Sequence, residues 1–235
     1  LSPLSLGFAS ALGCLAVHAV IERRFGGFSD AFKVGRSVVS LVLATLGFFA
    51  MWHWRGASSA TWVLETPDAL ATALAGIPIG HFVADLGLIA WGRLRHGEAV
   101  RSDLVAHHLL GLVAGTLTML LPIAAPLYLV LYTSELMPVT TGWVALAERA
   151  GSAGWAHRGQ VARAVVIALL RVPLWVVVGV GAGVGFAAAD ETGPRVVYGC
   201  SALFSLLTTS LDVHWFGACV RGLRRGAARR GSRAA

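Results

Sequence analysis

The sequence predicts an all-α, polytopic membrane protein with seven transmembrane helices, and three observations carry that expectation. Of the 235 residues, 56% are hydrophobic and only 13% charged, and the mean hydropathy is +0.71, which is too apolar for a water-soluble domain. Seven windows, at roughly 4–21, 35–54, 69–92, 104–121, 123–146, 164–188 and 196–220, are each long enough to cross a hydrocarbon core of ~30 Å at ~1.5 Å per residue. With the N-terminus outside, all of the 19 lysines and arginines except Arg55, Arg171 and Arg195 fall in inner loops or the inner tail. The positive-inside rule therefore predicts N-out, C-in. Lipid cannot hydrogen-bond an open backbone, so the windows should be helices. The connections are too short for a second domain, so residues 1–235 read as one membrane domain with a basic tail at 221–235.

The first window lacks a basic leader and a clear cleavage site, so it reads as a span rather than a signal peptide. The second ends in Trp52 and Trp54 and carries His53, the one ionisable group near the outer side; Trp62 and Trp91 complete a set of interfacial anchors. The third carries Gly76 and Gly80, small enough for close helix packing, then His81 mid-span and Asp85 one turn deeper. The fourth opens on Asp103, His107 and His108 at its inner end. The fifth holds Glu135 near its middle, and Pro138 leaves the Ser134 carbonyl without its helical donor and bends the chain beside that acid. The sixth holds Arg171, which reads as a counter-ion for Glu135 or Asp212, and a glycine run at 179, 181, 183 and 185 that reads as close packing. The seventh carries Asp212 and His214 near its inner end. Cys14, Cys200 and Cys219 define neither a disulfide framework nor a zinc site.

Ionisable groups inside a bilayer are costly unless paired or facing protein or water. Nearly all of them here lie between the midplane and the inner face, which predicts a polar cavity in the cytoplasmic half. Helical phase, about 100° per residue, sorts the side chains. His81 and Asp85 share a face, as do Asp103 and His107, while His108 is turned away by about 100°. Tyr128, Tyr132 and Glu135 form one stripe, and Ser201, Ser205, Thr208 and Asp212 another. Asp103 also suits a helix N-terminus, where an acid is favoured.

Four stretches, spanning about residues 80–225, resemble the TLC-domain family, which includes ceramide synthases, translocating-chain-associating proteins and the ceroid-lipofuscinosis type. They are His81-Phe82-Val83-Ala84-Asp85, Asp103 through His108, Ser134-Glu135-Leu136-Met137-Pro138, and Leu211-Asp212-Val213-His214-Trp215 followed by the basic tail. Ceramide synthases carry a His-Asp and a further Asp on the helix after the paired histidines, where this chain has Ser134-Glu135. The resemblance therefore points to the branch outside the ceramide synthases, with a substrate other than a sphingoid base.

What the resemblance implies is acyl transfer to a lipid amine or hydroxyl, with acyl-CoA or another acyl donor as co-substrate and no bound cofactor. The catalytic set would be His107, His108, Asp103, Asp85 and Glu135. His107 would serve as general base or as acyl-imidazole nucleophile, Asp103 or Asp85 would orient it, and His108 would stand behind as a second proton carrier. Glu135 would pass protons or fix the acceptor. His81, Tyr128, Tyr132, Arg171, Thr208 and Asp212 would bind substrate, and Gly111, Ala114 and Thr118 would leave room for an acyl chain. The expected partners are membrane lipids and fatty acyl chains, not nucleic acid; a homodimer is compatible with this reading. The alternative is a non-catalytic lipid-binding or membrane-organising protein, with Arg171 and the inner arginines on the head group. A retinal protein is excluded because the only lysine, Lys33, lies in a loop. Di-iron chemistry lacks its repeated histidine motifs, and a transporter lacks its repeated halves. A zinc site from His81, Asp85, His107 and Glu135 fits by ligand type, but the sequence does not show that the four converge, and no metal is assigned.

Overall fold

A computed structural model describes residues 2–53, 68–120 and 125–234, with side chains as far as Arg225. Arg55, Trp54 and Trp62, and the window ends at 54, 121, 123 and 124, lie outside the described residues. The described residues are all helical in architecture: α1 (Pro3–Phe25), α2 (Phe28–His53), α3 (Ala69–Leu74), α4 (Gly76–His96), α5 (Ser102–Leu120), α6 (Ala125–Val130), α7 (Leu136–Arg149), α8 (Ala153–Val166), α9 (Val172–Ala188) and α10 (Thr192–Ala234). Six helical segments among them are long and apolar enough to cross a membrane, counting α3 with α4 and α8 with α9. The fifth window is helical from Ala125 to Arg149 but is split by a 3-10 turn at Leu131–Glu135.

Local chemistry sets the ends. Ser2 and Ser5 cap the start of α1 reciprocally, and Gly26 closes it at φ 68°, a left-handed conformation that suits glycine. Gly76 and Gly80 let α4 press on α1: a Cβ on either would collide with the carbonyl oxygen of Pro3 or Gly7. The expectation of close packing holds there. It holds only in part for the later run, where Gly179 faces Ser205 and Gly185 faces Tyr198 while Gly181 and Gly183 look into open space.

The helices close a ring. α1 packs on α2 and α4, α4 on α5, α2 on α7 and the 3-10 turn, α7 on α8, and α9 on α10. α5 and α10 complete the circuit where His107 and Asp103 meet Trp215. Two breaks shape the interior. Pro138 has no N–H for the Ser134 carbonyl, and the chain tightens into the 3-10 turn just before α7, nested against Gly47 of α2. Pro173 has none for the Leu169 carbonyl, and a π turn spans Ile167–Arg171. The two breaks face each other. Arg171 Nη1 donates to the Ser134 carbonyl at 2.7 Å, so the π turn supplies the donor that Pro138 removes. Trp52 is exposed near the end of α2, and Trp91 is exposed towards the end of α4.

Candidate functional site

A half-open cavity lies inside the ring, walled by α5, α6 with its 3-10 turn, α9, α10 and Phe82 of α4, with about 940 Å³ of unfilled space including its mouth. His107 and Glu135 sit at one end of it. From there it runs past Gly111 and Ala114 to Thr118 of α5 and Val197 of α10, roughly 16 Å along α5. The wall is mainly apolar and reaches well beyond the polar half of the helices. The expected polar chamber confined to one half is thus replaced by an apolar channel with a polar end.

The polar end is built from four elements. His107 on α5 places Nε2 3.6 Å from Oε1 of Glu135, the last residue of the 3-10 turn. Ser40 of α2 donates to Oε2 of the same carboxylate at 3.1 Å. Trp215 stands edge-on to the His107 ring, with centroids 5.5 Å apart. His107 is 7% and Glu135 2% exposed. A carboxylate this deep is tolerable because a hydroxyl donor and an imidazole flank it. Tyr128 and Tyr132 extend the wall edge to face, 5.1 Å apart, and the Tyr128 hydroxyl donates to the Gly111 carbonyl at 3.2 Å. Thr208 lines the opposite side.

A second cluster is sealed off behind the Phe82 ring, which touches His81, His107 and His108. There Asp85 Oδ2 is 2.9 Å from His108 Nε2, 3.7 Å from His81 Nε2 and 2.9 Å from Arg36 Nε. His108 Nδ1 donates to the Leu104 carbonyl at 2.7 Å. A third group is Arg171, wholly buried, whose Nε donates to Asp212 Oδ1 at 2.9 Å and whose guanidinium lies over Trp215.

Of the residues expected at the site, the structure brings His107, Glu135, Tyr128, Tyr132 and Thr208 to the cavity, together with Gly111, Ala114 and Thr118. Four assignments are corrected. Asp103 does not orient His107; its carboxylate accepts from Arg101 Nε at 3.2 Å and Trp215 Nε1 at 2.6 Å, because the first turn of α5 faces α10 rather than the cavity. Asp85 does not orient His107 either, being held by His108 and Arg36. His108 and His81 belong to that sealed cluster, not to the cavity wall. Arg171 pairs with Asp212 and with the Ser134 carbonyl, and neither Arg171 nor Asp212 lines the cavity. The Arg171–Asp212 pairing itself is as expected.

Two contributors escaped the sequence reading. Arg36, taken as a loop charge, points into the bundle from α2, and Ser40 sits one turn along the same face. A polar pair spaced i, i+4 within an apolar window was the available signal. Compared with known protein families, with curated proteins and with solved structures, the chain matches none.

Proposed function

We propose that the protein is a seven-span membrane enzyme of lipid modification, with its N-terminus outside, its C-terminus inside and the His107–Glu135 end of its cavity towards the cytoplasm. The reaction is acyl transfer from acyl-CoA or a lipid donor to a lipid amine or hydroxyl, in keeping with the resemblance to the TLC-domain family. One observation carries the reading: an imidazole and a carboxylate 3.6 Å apart close the end of an apolar channel long enough for an acyl chain.

In this mechanism Glu135, steadied by Ser40, orients the His107 ring through Nε2, and a small shift tightens that contact to a hydrogen bond when substrate arrives. The other ring nitrogen takes the proton from the acceptor hydroxyl or amine. The acceptor attacks the donor carbonyl, the tetrahedral intermediate collapses, and the leaving group, the thiolate of acyl-CoA or the alkoxide of a lipid donor, takes the proton from His107. The products are an acylated lipid and the free thiol or alcohol of the donor, with no net proton consumed. The acyl chain lies along Gly111, Ala114 and Thr118.

Purified protein in liposomes, given isotopically labelled acyl-CoA and a membrane lipid extract, is the test. Labelled acyl lipid should form, and should vanish in His107→Ala while the protein stays folded. Unchanged product in that variant removes the mechanism. A lipid carrier without turnover is the second reading, favoured because His107 and Glu135 are the only Asp, Glu, His, Lys or Arg side chains among the described residues lining the cavity. An intact lipid copurifying one to one, with no labelled product from any donor, selects it.

A further inference from the structure

We propose that His81, Asp85 and His108 bind a divalent first-row transition-metal ion, of the class typified by zinc. This site is separate from the cavity and independent of the acyl-transfer reading.

The three donor atoms converge. His81 and Asp85 stand four residues apart on α4, so their side chains share one face. His108 reaches them from α5. One donor atom from each lies within 4.8 Å of the others, and all three residues are buried, at 0%, 2% and 0% exposed. In a tetrahedral zinc site with bonds of ~2.0–2.1 Å, neighbouring ligand atoms are about 3.3 Å apart. The distances to Asp85 Oδ2 here, 2.9 Å from His108 Nε2 and 3.7 Å from His81 Nε2, bracket that edge. Two imidazoles and a carboxylate suit zinc or ferrous iron better than calcium or magnesium.

Tautomer logic points the same way. The Leu104 carbonyl can only accept, so His108 Nδ1 carries the hydrogen in their 2.7 Å contact. Nε2 then faces a carboxylate oxygen 2.9 Å away, either as a donor to it or as a lone pair beside it. Either a proton or a metal ion bound to both atoms closes that contact, and the convergence of His81 Nε2 on the same oxygen favours the metal ion. A histidine that donates its remote nitrogen to a backbone carbonyl while its near nitrogen is free is the usual arrangement of a metal ligand. His81 repeats it more loosely: Nδ1 faces Cys14 Sγ at 3.8 Å, and Nε2 is buried with no hydrogen-bond partner.

Arg36 is the competing charge. Its Nε comes within 2.9 Å of the same Asp85 oxygen yet makes no hydrogen bond there, because the N–H is not aimed at it. Its side chain is 12% exposed, at the edge of the cluster. A bound cation turns Arg36 outward, and Arg36 sets the affinity by opposing it.

The test is elemental analysis of the full-length protein in detergent, purified without a histidine tag, before and after incubation with Zn²⁺, and Co²⁺ titration followed by visible absorption. About one metal ion per chain is expected, together with the absorption bands of tetrahedral Co²⁺. His81→Gln and His108→Gln, checked for monodispersity, should fall to background. His107→Ala should bind as the wild type does, and Arg36→Gln as tightly or more so. Wild-type protein at background after loading overturns the proposal and leaves a proton as the occupant of the gap. Equal metal in His81→Gln and His108→Gln, or loss of metal in His107→Ala alone, overturns it too.

Discussion

His107 and His108 are neighbours in sequence with ring centroids 5.6 Å apart, yet they belong to different regions. His107 faces an apolar channel, and its partner Glu135 comes from a distorted turn. His108 is sealed between α4 and α5, with Nδ1 on the Leu104 carbonyl and Nε2 beside an aspartate that Arg36 also approaches. The Phe82 ring divides the two. The difference follows from the ~100° step between adjacent helical residues. A pair of histidines in one helix serves two walls, so one can meet a ligand while the other ties helices together. The proposed function puts chemistry in the first region and leaves the second to hold α4 and α5 together.

The strongest way to break that division is to remove each ring in turn. His107→Ala should reduce acyl transfer about 10²–10⁴-fold, the range for losing a positioned general base, with little change in melting temperature. His108→Ala should do the reverse, lowering the melting temperature with the residual folded protein still active. If His108→Ala abolishes turnover in fully folded protein, the division fails. Asp85→Ala probes the sealed side further. It leaves the Arg36 charge and two imidazoles without their shared carboxylate, and breaking a buried pair in this way costs about 3–5 kcal/mol. Thermal unfolding in detergent should show this as a large fall in melting temperature; an unchanged value would mean that the cluster holds nothing together.

A smaller effect sharpens the cavity side. Ser40→Ala removes the hydroxyl that donates to Glu135. Hydrogen bonds between helices in membrane proteins are worth about 0.6–1.7 kcal/mol, so stability should drop modestly. Turnover should drop with it, because Glu135 then holds His107 less firmly. A loss of stability without any loss of turnover would reduce Ser40 to a packing contact.

How much of this was legible in the sequence depended on whether the deciding interaction was local. The helical windows were readable because lipid leaves the backbone no other choice, and each matches a described helical segment. The His107 face of α5 was readable too, since Gly111, Ala114 and Thr118 follow from helical phase alone. So was the orphaned Ser134 carbonyl, although its donor, Arg171, came from another helix. Regular phase failed where the helices are irregular. The 3-10 turn delivers Glu135 to His107, and the π turn aims Arg171 at Asp212 and Ser134. Neither geometry follows from a 3.6-residue period. Which acid serves which histidine was not local either: phase pairs Asp103 with His107 on α5 and leaves Asp85, on α4, as a second candidate, and only the packing of α4, α5 and α10 assigns both elsewhere.

Asp103 gives the smallest expected effect and the most discriminating one. It lies in the first turn of α5, one turn before His107, where phase alone makes it the orienting acid. In the folded chain its oxygens take Arg101 and the Trp215 indole, and its partner Arg101 is 63% exposed. An ion pair that open to solvent contributes at most about 1 kcal/mol. Asp103→Asn keeps an acceptor for Trp215 and loses only the charge, so both melting temperature and acyl transfer should stay close to wild type. A loss of turnover approaching that of His107→Ala would return Asp103 to the reacting group and make Glu135 the structural acid. Glu135→Gln, measured beside it, should show the opposite pattern: turnover falls because the ring loses its anionic partner, while the Ser40 hydrogen bond survives on the amide oxygen. The two acids are thus separated by one pair of isosteric variants.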